Sequence, residues 1–210
     1  MNAESRFDTT TESESLGAQI RQHRKQKELT LADLADQCNI STSFLSQIER
    51  GQANPSVTTL YTIAQAFQLP VAAFFTDSNP GDGREIAQSQ TDLSFATSSA
   101  QVVREDQRKM LIYPGSGIRN ELLSPDLQRT IQLIQVVMPP GTDTGDTPFI
   151  HDGEECGIVL QGQLETWVGD ERYILGPGDS IYHKSTIPHR SRNIGDTDVV
   201  IVVAKTPPSF

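Results

Sequence analysis

Three side chains in the second half of the chain, His151, Glu155 and His189, supply two imidazole nitrogens and one carboxylate. Brought together by a fold, they form a donor set that suits Zn, Mn or Fe with coordination positions left open. The same groups can instead hold an organic ligand by hydrogen bonds and charge, or merely satisfy one another at a cavity mouth. Glu154 adjoins Glu155, and an acidic cavity would favour a cationic effector such as an amine or polyamine. Tyr113, Arg119 and Glu121 flank a Gly-rich turn and carry side chains able to line such a pocket. Phe149, Trp167 and Tyr182 read as core, as does Cys38, and Cys156 reads as an inert free thiol.

A different chemistry is written into the first half, where apolar residues recur at helical spacing in short segments. Five helices are expected. The first covers about residues 16–27, and Thr30 with Asp33 forms a capping box that opens a second helix through Cys38. Asn39-Ile40 turn the chain, Ser41 caps a third helix through Arg50, and Gly51 suits the left-handed position beyond it. Pro55-Ser56 opens a fourth helix carrying Val57, Leu60, Ile63, Ala64 and Phe67, and Val71 to Phe75 form a short fifth. Two short helices across a tight turn, the second opening on small polar residues, have the shape that sets a helix into the DNA major groove.

The 210 residues leave room for two such units. Residues 1–15 are polar and acidic with almost no apolar content, as in a disordered tail, and residues 77–91 have the Pro, Gly, Asp and Ser content of an exposed linker. The expected domains are therefore 16–76, all helical, and 92–210, where β-rich runs such as 131–138, 157–160, 164–168 and 199–203 alternate with Gly- and Pro-rich turns. Net charge follows this division: −3 for the tail, +1 for the helical part and −8 for the rest, within a total of −10. The overall acidity thus says little against a nucleic-acid partner, because binding depends on the field of one face. No apolar run approaches the roughly 20 residues of a membrane span, and the start lacks the basic and apolar stretches of a secretory signal. A cytoplasmic location is expected, and two distant cysteines are too few for a disulfide framework.

The segment LADLADQCNISTSFLSQIERGQANPS strongly resembles the Cro/cI-type, or XRE-family, helix-turn-helix, with the likeness covering about residues 16–76. That resemblance implies that Ser41, Thr42, Ser43, Ser46 and Gln47 face base edges or nearby phosphates. It also implies phosphate contacts for Arg50, Asn54 and Thr58, and a partly buried ion pair between Glu49 and Arg24. The Gln47 amide can donate and accept together, which suits adenine N6 and N7. Leu31 stands where the family often has glutamine, which removes one customary phosphate contact.

In the second part, Gly145, His151, Glu155 and Gly162, then Pro177-Gly178-Asp179, Pro188, His189 and Asn193, match the two signature segments of the cupin β-barrel. Gly153 replaces the second histidine of the first segment, and the spacing to the acid is shortened. The whole is similar to XRE-cupin transcription factors, in particular the group containing the putrescine-utilisation repressor. The resemblance implies a two-domain α + β chain, with a five-helix Cro/cI-type domain followed by an antiparallel cupin β-barrel. The expected protein is a dimeric repressor on a double-stranded, imperfectly palindromic operator, controlling genes of catabolism or transport. Its barrel senses a small metabolite through Tyr113, Arg119, Glu121, His151, Glu154, Glu155 and His189, with a divalent metal at His151, Glu155 and His189 as a further expectation. The rival readings are a metal-dependent cupin oxygenase or isomerase, and a cupin that only dimerises.

Overall fold

The computed structural model of the chain describes residues 9–75 and 100–208. The expected linker and the first eight residues of the expected tail lie outside the described residues.

Four α-helices form the first domain: α1 (Thr9–Gln26), α2 (Leu31–Gln37), α3 (Thr42–Glu49) and α4 (Val57–Phe67). Their starts follow from capping. The Thr30 hydroxyl accepts from the Asp33 N–H while the Thr30 N–H donates to the Asp33 carboxylate, and Ser41 and Ser56 cap the two helices that follow. Ile20, Leu34, Leu45, Ile48, Leu60, Ile63, Phe67 and Phe74 are fully buried between the helices. Two expectations need correction. The fifth helix is a 3-10 turn at Val71–Phe75, with the Ala73 N–H donating to the Pro70 carbonyl. A segment this short gains too few i to i−4 bonds to offset α-nucleation. Helix α1 starts at Thr9, inside the segment expected to be a tail. Once its packed turns exist, each further residue adds a hydrogen bond for little ordering.

Among the described residues the second domain holds nine antiparallel strands: β1 (Lys109–Ile112), β2 (Arg119–Leu122), β3 (Gln132–Met138), β4 (Glu154–Gln161), β5 (Leu164–Val168), β6 (Glu171–Leu175), β7 (Ser180–Lys184), β8 (His189–Asn193) and β9 (Val199–Thr206). They form one sheet in the order β1-β2-β3-β9-β4-β7 and another in the order β6-β5-β8. The expected closed barrel is therefore two separate sheets. Residues 139–150 run beside β8 but make only two isolated bridges to it, Asp143 to Arg192 and Phe149 to His189. Pro139, Pro140 and Pro148 lie in that segment and have no N–H to give a ladder.

The domains touch. Helix α4 lies against the β domain, with the Thr58 N–H donating to the Thr144 carbonyl at 3.0 Å. The approach is close: Gly145 has φ +117°, and a Cβ there would overlap the Ser56 hydroxyl. Tyr61 on α4 meets the Phe149 ring edge-on, with 5.4 Å between centroids.

Candidate functional site

The third helix presents a polar outer face. Thr42, Ser43 and Gln47 are exposed, Ser46 is partly so, and Leu45 and Ile48 anchor the opposite side in the core. The Ser41 hydroxyl is engaged as the cap, accepting from the Phe44 N–H. Arg50 is exposed, but its guanidinium donates to Gln52 at 2.9 Å and to the Ser46 hydroxyl. Glu49 and Arg24 form the expected pair, a two-pronged contact of 2.6 and 2.9 Å that ties α3 to α1, and Arg24 also donates to the Leu29 carbonyl. Asn54 is exposed near the turn at Gly115. Thr58 does not fit a phosphate contact: it is 1% exposed, covered by the β domain and bonded to Ser56.

Between the two sheets, and roofed by Val57 and Tyr61 of α4, lies a cavity of about 150 Å³. Its lining includes the aliphatic Ile118, Ile134, Met138 and Ile201 together with polar groups, and His151 lies 5.6 Å from Tyr61 of α4, ring centre to ring centre. There His151, Glu155 and His189 place one ligand atom each within 4.8 Å of the others. His151 precedes β4, Glu155 lies within it, and β8 supplies His189, so the trio depends on a sheet pairing and a loop packed against the facing sheet.

The hydrogen bonds of the two imidazoles set what the trio can hold. Each Nδ1 faces a backbone carbonyl at 2.9 Å, Asp152 for His151 and Ile187 for His189. A carbonyl only accepts, so Nδ1 carries the proton and Nε2 is left for the cavity. His151 Nε2 lies 2.9 Å from a Glu155 oxygen. Two lone pairs do not face each other at that distance, so a proton or a metal ion belongs between them. Burial alone would raise the Glu155 carboxyl, but the His151 hydrogen bond and the charges of Lys205, His189 and His151 hold it at about 2. Burial also lowers the pKa of His189, which favours the neutral imidazole that a metal requires. The residues therefore fit a divalent cation.

Gly153 explains the absent histidine. Its φ is +93°, and a Cβ there would overlap the Thr206 carbonyl oxygen and lie 2.8 Å from Pro207 Cδ. The backbone of the last strand fills the volume a side chain would need.

Residues 20–74 match the helix-turn-helix family and residues 134–205 match the cupin domain family. The HTH-type transcriptional regulator PuuR of Escherichia coli (strain K12) is 26% identical over 92% of this chain and 96% of its own length. SutR, another HTH-type transcriptional regulator of that strain, is 25% identical over 88% of this chain and 90% of its own. A crystal structure of an HTH_3 family transcriptional regulator from Vibrio cholerae aligns with a TM-score of 0.65 at 20% identity, covering 95% of this chain and 99% of that one, and shares the fold. The chain is homologous to the XRE-cupin transcriptional regulators. Its full-length relatives are regulators of transcription, and the enzyme reading falls away. Among the described residues no helix is long and apolar enough to cross a membrane.

In this XRE-cupin regulator, strand alternation divides the expected effector residues. Tyr113, His151, Glu155 and His189 line the cavity. Arg119 and Glu121 do not: on β2 they point away from it, while Asn120 between them points in. They pair with each other at 2.8 Å, and Glu121 also takes Arg108 at 3.1 Å. Glu154 is likewise turned to the exposed side of β4, because neighbouring residues of a strand face opposite ways. The second acid is thus absent from the cavity.

Among the lining residues with no counterpart among the expected ones are Tyr61, His183 and Lys205. Glu155 is flanked in register by His183 on β7 and Lys205 on β9. His183 packs on His189 with 4.6 Å between ring centroids. The signal for Lys205 was available, since it continues the alternation Val199, Ile201, Val203 that faces inward along β9. Tyr61 carried none, because its partners lie in the other domain.

Proposed function

We propose that the protein is a dimeric repressor whose β-domain cavity binds a small metabolite and thereby alters operator affinity. The observation that carries this reading is the cavity's roof: Val57 and Tyr61 belong to the helix that follows the recognition helix. A ligand beneath Tyr61 contacts the DNA-binding domain directly, so occupancy can shift its placement. Such a ligand changes operator binding only through different affinities for the two arrangements, and operator and ligand then weaken each other equally. The experiment selects operator DNA from random duplexes with the purified protein and titrates the complex with metabolites that stabilise the protein against heat. Release of DNA is expected. Compounds that fill the cavity yet leave operator affinity unchanged would sink the reading and favour a cupin that only dimerises.

DNA readout is assigned to Ser41, Thr42, Ser43, Ser46 and Gln47, with Arg50 and Asn54 toward phosphates. Substituting Gln47 by Ala is expected to weaken operator binding by about tenfold or more, as loss of one bidentate base contact does. Repeating the selection with the variant should show one base position relaxed, while thermal stability stays unchanged. A uniform loss at every position would instead make Gln47 a backbone contact.

Pairing of β domains would place two recognition helices in successive major grooves, about 34 Å apart. The outer face of the larger sheet supports this, since Ile158, Leu160 and Tyr182 sit on adjoining strands and are 41, 52 and 60% exposed.

His151, Glu155 and His189 would hold a divalent metal, which when bound supplies a positive centre with open positions for a ligand oxygen or nitrogen. Substituting Glu155 by Gln keeps the shape and removes the anionic donor, so affinity for added Zn or Mn should fall by at least about tenfold. Equilibrium dialysis with elemental analysis measures it, and an unchanged affinity would place any metal elsewhere.

A further inference from the structure

The structure points to an effector that is a small carboxylate with a short apolar body, its carboxylate seated on Lys205. This rests on the reading that the cavity is the effector site and names the chemistry of what enters it. Lys205 lines the cavity, in register beside Glu155 and with its ammonium 6.0 Å from the centre of the Tyr61 ring. Among the described residues it has neither a hydrogen bond nor an ion pair. Glu155, the one acid lining the cavity among the described residues, is already engaged by His151 at 2.9 Å. Glu154, the other acid that would make the site attractive to a cation, faces outward. The cavity therefore offers an ammonium attracted by Glu155 but with no acceptor hydrogen-bonded to it, while its carboxylate already has a hydrogen-bond partner in His151.

A buried charge without a partner is costly, and an anion that supplies the partner recovers the loss on binding. An amine or polyamine would meet like charge at Lys205 with no free carboxylate to pair with. The aliphatic lining, Ile134, Met138 and Ile201 among it, suits a short apolar or aromatic body behind the carboxylate. A ligand held this way passes under Tyr61, so its body also touches α4.

The test uses the full-length protein and matched probes that differ only in head group: hexanoate, hexanamide and hexylamine, then phenylacetate, phenylacetamide and phenethylamine. Calorimetry and thermal shift should show saturable binding of at least one carboxylate, with its amide and amine at least tenfold weaker. Substituting Lys205 by Met should weaken that carboxylate at least tenfold, while Lys205→Arg retains much of the affinity. Carboxylates bound equally well by K205M, amines preferred over carboxylates, or no carboxylate bound at all would each overturn the inference. The head-group comparison in the unaltered protein stands even if a variant folds poorly. Carboxylate binding that depends on Lys205 but leaves the operator complex intact upholds this inference and defeats the sensing role instead.

Discussion

Replacing Glu49 by alanine is expected to destabilise the DNA-binding domain by about 3–5 kcal/mol, the usual cost of stripping one partner from a buried ion pair. The Arg24 and Glu49 side chains are 11% and 5% exposed, and the carboxylate receives two N–H groups of the guanidinium. Without it the charge stays buried between α1 and α3 with only the Leu29 carbonyl as acceptor. A loss of this size is a large share of the roughly 5–15 kcal/mol that holds a domain folded. Operator binding should fall with it, although Glu49 is buried and lies outside the proposed readout face. Replacing both partners by apolar residues, Arg24→Met with Glu49→Leu, should cost less than E49A alone. Urea unfolding separates the domains: the helical far-ultraviolet circular dichroism follows the first, and Trp167, the chain's single tryptophan, reports on the second. A helical transition displaced by less than about 1 kcal/mol would show that the pair is not structurally important.

The second large effect is expected at Gly153, where introducing histidine restores the residue type that the cupin signature has at that position. The variant should gain no metal affinity and should lose about 3 kcal/mol or more of β-domain stability. The cause lies in the Cβ, which would overlap the Thr206 oxygen from a backbone at φ +93°. Strain in that region costs about 1–3 kcal/mol, and forced displacement of packed neighbours adds a similar amount. Gly153→Ala should therefore be damaged almost as much as G153H, which separates the backbone cause from any effect of imidazole. Trp167 fluorescence during unfolding and the metal bound after dialysis are the readouts. A G153H protein as stable as the parent, with tighter metal binding, would mean that the last strand can move aside and that the three-donor set is not enforced by the fold.

Much of the first domain was legible because its information is local. Thr30 with Asp33, Ser41, Ser56 and Gly51 act within a few residues of themselves, and capping chemistry placed α2, α3 and α4 within a residue or two of where they lie. The strands divided differently. Runs such as Val199 to Val203 announce themselves, whereas β6 opens on Glu171 and Arg172, and β8, with Arg190 and Arg192, lacks a visible apolar face. Their place is fixed by pairing with β5, and pairing partners distant in sequence leave no mark in either segment alone.

The site shows the same boundary. Residue types and order, read through the resemblance to two family signatures, pointed to the helix-turn-helix, to His151, Glu155 and His189, and to the absence of a second histidine, because such signatures are matters of local chemistry and spacing. Only the tertiary structure decided which side of a strand faces the cavity. It turned Glu154, Arg119 and Glu121 away, brought Lys205 in, and exchanged an expected acidic pocket for one in which Lys205 stands beside Glu155. It also buried Thr58 and carried Tyr61 over the cavity, since a contact between domains depends on two surfaces that fold separately and meet afterwards. Charge balance in a cavity is a sum over side chains from many strands, and that sum exists only once sheet register and domain packing have chosen its members.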